Sequence, residues 1–327
     1  MSAASSSLRP PGRRTGLWIA GVLTCSALFI GVYEYFVRTY TGQLIEFSLL
    51  NASEFFEHPL PTLNLSVPAN MLLVIAVPAV LFAVITVVRQ KFLAAMIAAG
   101  AMVGANLSTQ LIKHGWLDKP VLERGPAWPE YWMNNTLPSG HTTVVTSVAV
   151  ALFLIASPRQ RPFFAVLTAF YAGAVGAYTF IETWHTPADV AAAYLVVAVW
   201  ALVGGWLIMR TDPRRNSVVY DAEPDVAPAA GFCWFLGIVL GLGAMLCLLF
   251  SGGWSAMEAS REEPSLWLWF AGVLLSLSPA FLISAAAINF FGAETGRRQR
   301  GADVPSPRGE RAVYPIPPEL RELYERV

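Results

Sequence analysis

Residues 138–156 read PSGHTTVVTSVAVALFLIA, and residues 185–209 read HTPADVAAAYLVVAVWALVGGWLIM. Each stretch opens on a polar cluster holding a histidine and passes at once into an apolar run. Lipid offers no partner to a backbone N–H or C=O, so a run that crosses a bilayer must be a helix. Its polar end then meets water at a membrane face. A reaction site assembled from such ends would lie at that face.

The composition agrees. Of 327 residues, 55% are hydrophobic and 13% charged, against about a quarter charged in a soluble domain. The mean hydropathy is +0.51. The formal net charge is zero, which gives no global basic field and no case for nucleic acid as a partner. Cys25, Cys233 and Cys247 lie inside apolar runs, with neither a disulfide framework nor metal-ligand spacing. The reading calls for no metal and no cofactor.

Eight apolar runs follow one another, at about 17–37, 70–88, 92–112, 140–156, 163–181, 188–209, 230–250 and 266–291. Most have about the 20 residues needed to cross a bilayer. The first is too long for a signal peptide and lacks a small-x-small cleavage site. The fold class expected is an all-α polytopic membrane bundle. A six-helix core (17–209) follows a polar tail (1–16). A linker (210–229) leads to a two-helix addition (230–291) and a loosely attached tail (292–327). A mixed loop is expected over 39–68, lying along the membrane surface. In the addition, Gly237-x-x-x-Gly241 is a close-packing pattern for membrane helices.

Eight crossings put both termini on one side. That side collects 17 of the 22 Lys and Arg, leaving Arg38, Lys113, Lys119, Arg124 and Arg261 on the other. The positive-inside rule makes the richer side cytoplasmic. Three of the five exceptions, Lys113, Lys119 and Arg124, share one loop, and a bound anion would explain them. The expected location is the cell membrane, with both termini cytoplasmic and the site outside.

The motifs point to the same loop. Ser139-Gly140-His141 opens a helix, and a helix N-terminus binds anions through free N–H groups. Ser139 also fits a plain N-cap. In His185-Thr186-Pro187-Ala188-Asp189, Thr186 is a good cap, Pro187 a good first residue and Asp189 a good third. Those roles leave His185 unexplained, four positions before a carboxylate that can fix its tautomer. Asn106, Gln110 and Lys113 share one helix face. Two histidines, two lysines and a helix N-terminus around one pocket suit phosphoryl transfer, with fixed cations in place of a metal.

The set Lys113-x5-Lys119-Pro120, Pro138-Ser139-Gly140-His141 and His185-x-x-x-Asp189 resembles the signature of the type 2 phosphatidic acid phosphatase family. That family also contains bacterial acid phosphatases and vanadium haloperoxidases. The resemblance spans about 70–209 and implies an integral membrane, bacterial-type member. By it, His185 is the nucleophile, Asp189 orients it and His141 protonates the leaving oxygen. Lys113, Lys119, Ser139, Gly140, Thr179 and Arg124 would hold the phosphate. Lys119 stands where the family has Arg, and the first spacing is one residue short. Tyr178 and Thr179 stand where the family has Ser-Arg. Lys is not equivalent to Arg at a bidentate site. The implied activity is a metal-independent membrane phosphatase. Its substrate would be a lipid phosphate or diphosphate: phosphatidic acid, phosphatidylglycerol phosphate or an isoprenoid carrier. The alternatives are a phosphotransferase and a non-catalytic lipid-phosphate binder or transporter.

Overall fold

A computed structural model describes residues 10–56, 68–120, 122, 135–219, 226–259 and 264–298. Ten α-helices are found among them: α1 Thr15–Val32, α2 Tyr40–Phe55, α3 Pro68–Val88, α4 Phe92–Leu111, α5 Gly140–Ile155, α6 Arg161–Ile181, α7 Pro187–Thr211, α8 Ala227–Phe250, α9 Gly253–Ala259 and α10 Leu266–Glu294. All eight expected apolar runs are helices. Six helical segments are long and apolar enough to cross a membrane: those beginning at Thr15, Phe92, Arg161, Pro187, Ala227 and Leu266. The apolar part of α3, Val74–Val88, and α5 are shorter. The chain is an all-α, multi-pass membrane protein.

α7 runs through the bundle, packed against α1, α4, α5 and α10. Its face from Val190 to Val197 is buried almost without interruption. In lipid such packing, rather than expulsion from water, holds helices together. The α8–α10 contact shows it at close range. A Cβ added to Gly237 would lie 2.7 Å from Leu282 Cδ2, and one added to Gly241 3.2 Å from Ser278 Oγ. Ser278 donates to the Gly237 carbonyl at 2.8 Å. The Gly237–Gly241 pair is therefore a contact within the bundle. α10 also packs along α6 and α2.

Two segments differ from expectation. Residues 40–55, expected as a surface loop, form α2, capped by Thr39, whose side chain accepts from Gly42 N. α2 is inside the protein: Gln43, Leu44, Glu46, Ser48, Leu49, Leu50, Ala52 and Ser53 are all buried. Its polar groups have fixed partners. Gln43 Nε2 donates to the carbonyls of Val37 and Pro120, at 2.7 and 3.0 Å. Ser48 donates to the Met257 carbonyl and Ser53 to those of Phe180 and Ile181. The second difference is at the C-terminal end. α10 continues to Glu294, and Gly296–Arg298 (β2) pairs in parallel with Ser217–Val219 (β1). Glu294 is buried and accepts from Arg14 and from Trp18 Nε1, which fastens this end to the start of α1.

Candidate active site

The site is made where the N-termini of α5 and α7 meet. Ser139 caps α5; its Oγ accepts from Thr142 N at 3.3 Å and donates to Thr142 Oγ1 at 2.9 Å. Its backbone N–H donates to the Asp189 carbonyl at 3.0 Å, so one helix start is tied to the other. Thr186 caps α7 in a reciprocal capping box with Asp189.

Asp189 does more than cap. Its Oδ2 receives Thr136 Oγ1 at 2.7 Å, Thr186 N at 3.1 Å and His185 Nδ1 at 3.2 Å. Both Asp189 and His185 are buried, at 3% and 5% exposure. With Nδ1 held by the carboxylate, Nε2 of His185 is left as the nitrogen for chemistry. The ring is also fixed through its backbone. His185 N and Trp184 N both donate to the Thr179 carbonyl, at 3.2 and 3.0 Å. That tight turn places Thr183 at φ 59°, a left-handed conformation that a β-branched residue rarely adopts. Strain of this kind is found where a site needs a fixed geometry.

The exposed His141 faces this arrangement. Its ring centroid is 6.2 Å from that of His185. A nucleophile needs about 3–3.5 Å to phosphorus, and an acid about 2.6–3.2 Å to the leaving oxygen. The two rings are therefore a phosphate's width apart. His141 also packs on Trp184 at 5.1 Å, and Trp184 on Tyr178 at 5.9 Å. Tyr178, one of the two residues expected where the resembled family has Ser-Arg, thus reaches His141 through an aromatic neighbour.

The remaining expected residues divide. Lys113, in the π-helical turn Ile112–Trp116 that extends α4, acts electrostatically on His141 together with His185. Gly140 leaves the α5 end open; a Cβ there would lie 3.7 Å from Gln110 Nε2. Asn106 points into the bundle and donates to Ser147 Oγ at 3.1 Å. Thr179 is fully buried, and its hydroxyl donates to the Gly176 carbonyl at 2.8 Å, so it serves the turn through its backbone. Arg124 lies outside the described residues.

Lys119 approaches from behind, facing Asp189 and Glu46. Burial pulls its ammonium down to about 8, against the opposing pull of Asp189 and Glu46. These three residues line a small cavity with Thr136 and Thr186. Glu46 was not singled out by the sequence. It is 4% exposed and its Oε2 accepts from Ala188 N at 3.3 Å, in the first turn of α7. Burial raises its carboxyl to about 8; the Asp189 charge adds to this, and bonds from Thr186 and Ala188 oppose it. A carboxylate within the run Leu44–Leu50 was the available signal.

The family comparison bears on this geometry. Residues 93–217 match the model of the PAP2 superfamily; no curated protein and no solved structure matches. The match runs from α4 to β1 and contains every motif of the site. This part of the chain is similar to the PAP2 superfamily, a similarity that supports a phosphatase acting on phosphate esters.

Proposed function

We propose, from that similarity, that the protein hydrolyses a lipid phosphate or diphosphate through a phosphohistidine, without a metal, at the extracytoplasmic face. The observation that carries this reading is the pairing of a carboxylate-held His185 with His141 at 6.2 Å between ring centroids. His185 Nε2 attacks phosphorus and the P–O bond to the leaving group breaks. His141 gives its proton to the departing oxygen. Water then attacks the phosphohistidine, His141 takes its proton, and phosphate leaves with His185 restored. A covalent intermediate splits one hard step into two easier ones. Lys113 and the open end of α5 at Gly140 would hold the non-bridging oxygens, where fixed donors act most strongly on developing charge. Lys119, beside Asp189, would add positive charge from behind. The position of the site at helix ends of a membrane bundle supports a lipid substrate, and the excess of Lys and Arg at the other end supports the assigned face.

Purified protein in detergent, given phosphatidic acid or an isoprenyl diphosphate with EDTA present, tests this. Phosphate release that persists with EDTA and falls at least about 10³-fold in His185→Ala is expected. Binding without release by the unaltered protein would contradict hydrolysis. Release only with an added alcohol acceptor would make the protein a phosphotransferase.

A further inference from the structure

The end of the bundle away from the histidines carries two hollows that share Pro158 and Val218 as a wall. One, of about 590 Å³, is lined by Arg89, Lys91, Arg159, Arg214 and Arg215. The other, of about 270 Å³, is lined by Arg161 and Arg297. The exposed arginines fit the ordinary bias of one membrane side. The buried cations do not.

Lys91 is 9% exposed and Arg161 4%. Lys91 Nζ donates to the Ile155 carbonyl at 2.7 Å. Arg161 Nη2 donates to Asn216 Oδ1, and its guanidinium lies over the Phe291 ring at 5.5 Å. Its Nε and Nη1 are buried with no hydrogen-bond partner among the described residues. None of these partners carries charge. Asp212 acts on Lys91 from a distance, but it is paired with Arg215 at 3.8 Å. A buried cation without a counter-charge is strongly unfavourable, and two that have none bonded to them among the described residues are brought together here. Burial and the charges of Arg161 and Arg89 pull Lys91 down to about 8.

We propose that the larger basic hollow is an anion site that takes a phosphate group, with Lys91, Arg159 and Arg214 around the anion and Arg161 in the adjoining hollow. A phosphate seated there supplies the negative charge that the buried cations lack. Basic pockets between membrane helices bind anionic head groups on this principle. The same chemistry suits a soluble phosphate. The proposal does not depend on the reaction at the other end.

The test uses the full chain carrying His141→Ala and His185→Ala, which disables the histidine end. Its thermal midpoint is followed against inorganic pyrophosphate, and separately against micelles with phosphatidylglycerol or with phosphatidylcholine. A saturable rise with pyrophosphate assigns a soluble anion; a rise with phosphatidylglycerol alone assigns a lipid head group. Either supports the site if Arg159→Gln and Arg214→Gln, both on exposed side chains, each weaken binding about tenfold while leaving the ligand-free thermal midpoint unchanged. No rise with any probe, a rise with phosphatidylcholine equal to that with phosphatidylglycerol, or rises equal with and without these arginines would overturn it. The sequence holds Asp221, Glu223 and Asp225 shortly after β1. Binding that appears only when all three are neutralised would assign the counter-charge to the chain itself, and overturn the proposal too.

Discussion

The two ends of this bundle bury charge in opposite ways. At the histidine end each buried ionisable group has a neighbour that answers it: Asp189 takes three donors on one oxygen, and Glu46 takes the first-turn N–H of α7. At the other end, buried Lys91 and Arg161 rest on carbonyls, an amide and an aromatic ring. A set that satisfies itself holds its geometry before any ligand arrives, which is what chemistry needs. A set left one-sided waits for a ligand, which is what binding needs. On the two proposals, the difference would separate a preorganised reaction site from a receptive one, although both are rich in basic residues.

The sharpest way to break the comparison is to spoil the self-satisfied end. Asp189→Asn keeps a capping oxygen but removes the charge that holds His185 Nδ1. Turnover should fall by about 10⁴-fold, measured as kcat on phosphatidic acid, while the protein stays folded. His141→Ala should cost about 10²–10⁴-fold. The loss should shrink with an aryl phosphate, whose leaving oxygen needs no proton. An equal loss on both substrates would remove His141 from the acid role.

Glu46 tests how far the closed network extends. Glu46→Ala leaves Ala188 N without its partner and should destabilise the fold by about 1–3 kcal/mol. Glu46→Gln keeps an acceptor and should keep turnover within a few-fold. The pH dependence of stability has a definite sign. The Glu46 carboxyl is raised from 4.5 to about 8 on folding, so the folded state binds the extra proton in that window. Its contribution is full below 4.5 and is lost as pH rises to about 8. Lys119 is lowered from 10.5 to about 8, so its unfolded form binds the extra proton above 8, and stability recovers toward 10.5. Thermal midpoints of the unaltered protein should dip near pH 8, and Glu46→Gln should flatten the acid-side slope. An unchanged slope in that variant would remove Glu46 from the network.

The smallest effect concerns the scaffold that joins the ends. Gly237→Ala pushes a methyl against Leu282 and should cost about 1–3 kcal/mol, with no change in kcat. Thermal unfolding in detergent measures it.

Much of this was legible in the chain. The apolar runs gave eight helices, because lipid permits little else. Thr186, Pro187 and Asp189 marked the start of α7 by local chemistry, and Asp189 turned out to hold His185 as well. Ser139 took the capping role open to it, with its side chain turned inward onto Thr142. α2 was hidden because its polarity is turned round. Gln43, Glu46, Ser48 and Ser53 face the protein, and each has a partner far off in sequence, so no periodic pattern reveals it. Lys119 carried the same ambiguity: spacing groups it with Lys113, while folding brings it beside Asp189 and Glu46. Thr179 could be placed by alignment with a motif, but only the turn before His185 shows that its carbonyl is the part used. The pairing of β1 with β2 joins three-residue segments nearly eighty positions apart, too short to show a pattern.

The central claim is that His185 carries the phosphoryl group. Rapid quench of the purified protein with phosphatidic acid labelled at phosphorus, followed by peptide mapping, tests it directly. The account predicts an acid-labile, alkali-stable label on the peptide containing residue 185, formed and lost at rates consistent with turnover and absent in His185→Ala. Label on a different residue, or turnover of the unaltered protein with no labelled peptide at any quench time, would contradict it.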